Sequence, residues 1–297
     1  MARVGTSPPA PGRALQWRSA RRMPHSSLDT IIATLALGTL AGATGTLLGL
    51  GGGVFLVPFL VLIVGLPFQQ AAAISLVTVI ATSSAVSAAR AGRHLINLRF
   101  GMVLEVATAA GGLAGGLTAQ MLAASTLQRM FACASFAVAA ITLSRLRRPP
   151  EVTGDQDPGI LGGRYMDEFL GREVTYRPKH LPIALTASFV AGNVSTLLGL
   201  GGGFIKVPVM AAWCNVPLRA AAATSAFMIG VTATSGAVVY YGHGAVLPEL
   251  AAAAVIGVQL GSSTGMHIGA RLDTRWLEML LSAVLFGVGI LMLLRAG

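Results

Sequence analysis

The stretch AGATGTLLGL at residues 41–50 returns as AGNVSTLLGL at residues 191–200, an offset of 150. The register then holds without a gap, because Gly51, Gly52, Gly53, Val57 and Pro58 fall on Gly201, Gly202, Gly203, Val207 and Pro208, and Pro67 falls on Pro217. Further along, Ser75 matches Ser225, Thr82 matches Thr232, Gly92 matches Gly242 and Gly115 matches Gly265. Shared apolar composition alone does not keep one register over such a distance, so the chain reads as a duplicated unit. Each half must then use the same fold, and a long apolar segment in one has a counterpart in the other.

Eight apolar stretches follow this rule, at residues 28–48, 69–90, 100–123 and 127–145 and again at 181–200, 219–240, 247–268 and 276–294. Each matches the roughly 20 residues that cross a bilayer core as a helix. Only 11% of the chain is charged and its mean hydropathy is +0.72, against about 25% charged residues in a soluble domain. There is too little charge to cover a water-facing surface. Ala, Gly, Leu, Ser and Thr crowd the segments without alternating in polarity, which indicates helices rather than barrel strands. The expected fold is all-α: a polytopic transmembrane helix bundle of two homologous repeats, about eight spans, with glycine-broken or re-entrant elements.

The polar residues divide the chain. A basic tail, residues 1–27, carries Arg3, Arg13, Arg18, Arg21 and Arg22; the first repeat covers 28–145 and the second 181–297. Residues 146–180 are a polar linker with Pro149, Pro150, Pro158 and most of the acidic residues, including Glu151, Asp155, Asp157, Asp167, Glu168 and Glu173. It reads as a solvated connector with room for a short surface helix. The net charge of +10 sits outside the apolar segments, in the tail and around Arg145, Arg147 and Arg148, the pattern of positive-inside topology rather than of nucleic-acid binding. Both regions are expected to be cytoplasmic in a multi-pass protein of the cell (inner) membrane. Four spans per half then make the repeats parallel, provided that the short apolar stretch 54–66 re-enters; if it crosses, parity is odd and the repeats are inverted. The tail resembles the basic start of a signal peptide, but the apolar stretch after it is too long for one and recurs in the second half.

The sequence Leu-Gly-Leu-Gly-Gly-Gly, at 48–53 and 198–203, ends one apolar segment and opens a shorter one that soon meets Val-Pro. Three glycines in a row are poor helix formers. A break at membrane depth frees backbone N–H and C=O groups that lipid cannot pair, and the half-helix after it presents a positive dipole end suited to an anion. Matched breaks in two halves point to a transporter's binding site. A nucleotide phosphate loop lacks its Lys-Ser/Thr ending here. Close helix packing is the plainer use of any single glycine.

With GLGGG followed by Val-Pro in both halves, Ala-rich segments carrying Ser75 and Thr224-Ser225, and Gly-rich patterns around Gly115 and Gly265, the chain resembles the sulfite exporter TauE/SafE family over residues 30–145 and 181–295. The resemblance implies transport of sulfite, organosulfonates or related sulfur-containing anions across a bacterial inner membrane.

Candidate substrate-binding residues are Thr46, Gly51, Gly52, Gly53, Ser75, Asn193, Thr196, Gly201, Gly202, Gly203, Lys206, Thr224 and Ser225. Hydroxyls donate to an oxyanion without trapping it, although in helices they also bond their own backbone. Asn193 and Ser195 have only Ala43 and Gly45 as counterparts, so the halves contribute unequally. Lys206 stands where the first half has Leu56, and an ionisable residue in an apolar run is costly and marks function, unless it snorkels to the interface. Glu105 is a candidate coupling carboxylate, its alternatives being a pair with Arg99 or a place at the interface. Tyr240 and Tyr241 read as interfacial anchors.

Cys133 and Cys214 show no ligand or disulfide spacing, and neither HExxH nor GxSxG occurs, so no cofactor, metal or enzyme activity is expected. The leading reading is a secondary transporter of small anions working by alternating access between the two repeats. The alternatives are a channel or a membrane scaffold protein and, with least support, an intramembrane enzyme. The lipid bilayer and a small anion are the expected partners, nucleic acid is not, and the small-residue faces permit a homodimer.

Overall fold

A computed structural model describes residues 28–47, 52–90, 95–145, 158–167, 172–201, 203–269 and 274–296. In chain order the helices are α1 (Leu28–Leu47), α2 (Gly53–Phe59, continued by a π-helical turn, Leu60–Val64), α3 (Phe68–Arg90), α4 (Leu98–Met121) and α5 (Ala124–Arg145). After a β-hairpin, β1 (Gly163–Asp167) and β2 (Arg172–Tyr176), come α6 (Leu181–Leu198), α7 (Gly203–Ala212), α8 (Leu218–Gly242), α9 (Pro248–Gly269) and α10 (Thr274–Ala296). The eight longer helices fall on the eight apolar stretches. Five of the described helices are long and apolar enough to cross a membrane by length and composition: α1, α3, α4, α6 and α8. The fold is thus mostly helical, with the hairpin as a short β addition to the all-α expectation.

Local chemistry sets the helix ends. The Asn97 side chain caps α4 by accepting from the Phe100 N–H at 3.1 Å. Helix α6 stops at Gly199, whose φ of +72° only glycine adopts without strain, and the Leu200 N–H turns back to the Ser195 carbonyl at 2.9 Å. Pro58 lies inside α2, and the π-turn after it ends on Gly65 at φ +79°.

Packing exchanges helices between the halves. Gly257, Gly261 and Gly265 of α9 lie against the backbone of Leu35, Thr39 and Ala43 in α1, while Gly111 and Gly115 of α4 lie against Phe189 and Asn193 in α6. The second interface therefore repeats the first at an offset of 150 residues, on both sides of the contact. A side chain at any of these glycines would strike backbone, so each crossing depends on its absence.

These contacts also fix chain direction, and they overturn the parallel arrangement of the halves. Helices α5 and α10, 150 residues apart, run antiparallel: Arg129 donates to the Ala296 carbonyl at 3.1 Å, Phe136 packs on Gly289 and Phe286, and Ser282 reaches the Ala139 carbonyl. The starts of α4 and α8 meet where the Asn97 N–H donates to Thr224 Oγ1 at 3.0 Å, and the Asn97 side chain donates to the Leu161 carbonyl of the linker at 2.8 Å. The start of α6 directly follows the same linker. The start of α3, by contrast, lies at the far end of the bundle, where Gln69 donates to the Leu122 carbonyl just past α4. Helix α1 runs parallel to α9, which returns from that far end, so α1 begins opposite the linker. Short helix α2 brings the chain back to the far end, where Arg295 of α10 donates to the Val61 carbonyl. Helices 150 residues apart, α3 with α8 and α5 with α10, therefore run in opposite directions. The tail, residues 1–27, lies outside the described residues; the start of α1, Leu28, lies at the end of the bundle opposite the described part of the linker.

The surface is apolar and the interior carries the polar groups. Val106 is 75% and Leu294 73% exposed, whereas Ser75, Thr78, Thr108, Lys206 and Thr232 are buried. Apolar side chains exposed on this scale around an interior that holds both an apolar core and polar groups fit a lipid solvent. Two expectations change here. The linker, where described, is a hairpin whose Tyr165, Val174 and Tyr176 pack into one cluster with Phe100, Leu104, Val207, Met210 and Met228. Tyr240 is fully buried, its hydroxyl 3.4 Å from the Thr196 and Leu197 carbonyls, while Tyr241 is exposed.

Gly115→Ala should lower the thermal unfolding temperature in detergent, by the equivalent of about 1–3 kcal/mol for an overpacked contact. Gly287→Ala, where nothing lies within 4 Å of the added methyl, should leave it within about 0.5 kcal/mol.

Candidate functional site

The two glycine breaks meet. A Cβ on Gly53 would lie 2.6 Å from both the Gly199 carbonyl and Ser75 Oγ, and Ser75 donates to that carbonyl at 2.7 Å. Gly201, at φ +80°, sits between Val79 of α3 and Ile229 of α8. The first break is therefore seated on the second, with a hydroxyl from the first half satisfying a carbonyl freed in the second.

From the second break, α7 lies along α8. Gly203 faces Ser225 and Ile229, and one turn later Lys206 faces Thr232. Positions 225, 229 and 232 share one face of α8, as 203 and 206 share one face of α7. Lys206 Nζ donates to Thr232 Oγ1 at 2.8 Å, Thr232 Oγ1 donates to Glu105 Oε1 at 2.7 Å, and Nζ stands 3.5 Å from Glu105 Oε2. The Lys206 side chain is fully buried. A lone charge in such surroundings is strongly disfavoured, and the opposite charge offsets that cost. Glu105 thus pairs with Lys206 across the halves and not with Arg99.

The arrangement keeps spare hydrogen-bonding capacity. Among the described residues, Glu105 Oε2 accepts no hydrogen bond, and the buried hydroxyls of Ser195, Thr196 and Ser225 have no partner. Thr196 lies against Gly112 of α4 and Gly236 of α8, next to Ser235. A buried ammonium together with buried hydroxyls that have capacity to spare is chemically suited to hold an oxyanion.

Other sequence candidates have structural roles or lie elsewhere. Thr224 is occupied by the Asn97 N–H. Asn193 presents its carbonyl to Gly115 at the α4–α6 crossing. Gly52 accepts the Phe55 and Leu56 N–H groups as the start of α2. Gly51, Gly202 and the Thr46 side chain lie outside the described residues. Thr232, the shared hydroxyl between the two charges, is visible in the sequence only as the partner of Thr82 in the repeat. Among the described residues no three His, Cys, Asp or Glu come together as metal ligands. On the linker side, burial pushes the Tyr176 hydroxyl above the usual tyrosine value, against a hydrogen bond with Asn97, so it stays protonated at neutral pH.

The profile of the family described as Sulfite exporter TauE/SafE matches residues 34–292. The chain is 25% identical over 267 residues to "Probable membrane transporter protein YunE" of Bacillus subtilis, covering 88% of this chain and 96% of that protein. A probable membrane transporter protein of Methanocaldococcus jannaschii is 24% identical, covering 88% of this chain and 94% of its own length. "Probable membrane transporter protein MamO" of Magnetospirillum gryphiswaldense is 25% identical, and the match spans 43% of that longer protein. No solved structure matches the chain significantly.

Lys206→Ala should destabilise the detergent-purified protein by about 3–5 kcal/mol, because it strands a buried carboxylate. The double variant Lys206→Met with Glu105→Gln should recover most of that loss, as thermal unfolding of the single and double variants will report.

Proposed function

The chain belongs to the sulfite exporter TauE/SafE family, and from that membership we propose that it is a secondary transporter of small anions, sulfite, organosulfonates or related sulfur-containing anions. The observation that carries the reading is Lys206, a buried cation one turn beyond a glycine break, in an interior that also holds hydroxyls without a partner among the described residues. Lys206, Ser225 and Thr196 are the proposed substrate contacts in the second half, with Ser75, Gly53, Gly201 and Gly203 shaping the place where the breaks meet. The curated relatives are named as probable membrane transporters, which supports the transport reading and leaves the anion to the chemistry of the site.

The offset of 150 in sequence, repeated in the α1–α9 and α6–α4 contacts, supports a duplicated unit in inverted orientation, and inverted repeats suit alternating access. The linker side is proposed as cytoplasmic, in an inner membrane, because in the sequence the connections from α3 to α4 and from α5 into the linker are rich in arginine. The hairpin lies on that side, its Tyr165 and Tyr176 in one apolar cluster with Phe100 and Leu104.

Reconstituted protein should exchange labelled sulfite or methanesulfonate in counterflow, with saturation, and Lys206→Ala should reduce the rate at least about tenfold, the loss of one charge-assisted contact. Flux that neither saturates nor shows counterflow would instead mark a channel, and undiminished flux in folded Lys206→Ala would remove Lys206 from the site.

A further inference from the structure

The charged cluster exists once per chain. The positions 150 residues away from Lys206, Thr232 and Glu105 are Leu56, Thr82 and Val255. The corresponding place therefore has a hydroxyl and no charge, and a chain holds one cationic site rather than two.

That site is neutral as it stands. Glu105 already satisfies Lys206, directly at 3.5 Å and through Thr232, so an arriving anion meets an ammonium whose charge is spoken for. Bringing a monoanion to Nζ while Glu105 stays ionised leaves one uncompensated negative charge in the bundle. An unpaired buried charge is strongly unfavourable, by several kcal/mol. Among the described residues no third charged group joins the pair. Helix α6 has no ionisable residue and α7 has only Lys206; α8 has Arg219 near its start and Tyr240 and Tyr241 at its far end; α4 itself has Arg99 at its start. The hairpin contributes Tyr165 and Tyr176, which share an apolar cluster with Phe100 and Leu104, and also carries Arg164, Asp167, Arg172 and Glu173. A proton on Glu105 restores neutrality, and Oε2, which accepts no hydrogen bond among the described residues and gives up its 3.5 Å contact with Nζ when the anion arrives, is the atom that takes it. Thr232 can keep Lys206 in place during the exchange, since its oxygen accepts from Nζ whichever way its own proton points, toward Glu105 or toward the Met228 carbonyl at 3.1 Å.

We propose that Glu105 is an internal counter-anion that the transported oxyanion displaces from Lys206, and that each anion crosses together with one proton held on Glu105. This rests on the anion-transport reading and adds to it. Net charge in the site is the same loaded and empty, so the step is electroneutral, and monoanions such as sulfonates are preferred over dianions such as sulfate, which would need a second proton. When the anion leaves, the proton returns to water and Glu105 re-forms its pair with Lys206.

The test uses the full chain in proteoliposomes with labelled methanesulfonate, the anion of a strong acid, so any proton that moves is carried by the protein. With the membrane potential clamped at zero, a gradient of about one pH unit should drive about tenfold accumulation on the alkaline side. In Glu105→Gln the ratio of accumulation with and without the gradient should fall to about one. A folded Glu105→Gln protein that keeps the ratio of the intact protein overturns the proposal. If that variant does not fold, the intact protein still decides: a methanesulfonate concentration jump should produce no transport current, and a current overturns electroneutral coupling. Absence of methanesulfonate exchange by the intact protein also overturns the proposal, and a parallel sulfite exchange assay shows whether the transport reading falls with it.

Discussion

Lipid hydrocarbon cannot hydrogen-bond to a peptide group, and this constraint governs the whole architecture. Two glycine-rich breaks free backbone carbonyls and amides inside an apolar bundle, so each has to be met by protein. The chain meets them by seating one break on the other, with Ser75 donating to the Gly199 carbonyl and no side chain on Gly53 to keep them apart. Such closeness at the centre requires closeness around it. Glycines at the α1–α9 and α4–α6 crossings let backbones touch, and helices from one half are thereby held by helices of the other.

That exchange gives the charged cluster its setting. Glu105 comes from α4, Lys206 from α7 and Thr232 from α8, so three elements from both halves converge on a single hydroxyl. Glu105 lies seven residues into α4, about 10 Å from the helix start at 1.5 Å per residue, just beneath the apolar cluster formed with the hairpin. A charge pair at that depth is sensitive to any motion of one half against the other, because such motion separates the ammonium from the carboxylate. Asn97 strengthens the same region by capping α4 and bonding both to Thr224 and to the linker.

Much of this was legible without coordinates. Apolar length and small-residue content announced helices in lipid, and the glycine motif announced breaks, because both follow from local chemistry. Lys206 and Glu105 could each be singled out as ionisable residues in apolar runs. Their pairing could not, since it joins positions 101 residues apart through a threonine that looks like any other helical hydroxyl. Tyr240 misleads for a related reason: an aromatic residue near a helix end suits an interface, and only the neighbouring α6 carbonyls show it turned inward.

Sequence by itself therefore determined the solvent, the helical class, the 150-residue periodicity and the positions of the breaks, all of which depend on composition and spacing along one chain. Tertiary structure decided the rest: the opposed direction of α5 and α10, the folding of the polar linker into a hairpin, and the choice of Lys206 rather than Arg99 as the partner of Glu105. Those outcomes depend on which surfaces touch. Contact between distant segments is set by backbone approach and by the need to neutralise buried charge, neither of which is written in local sequence.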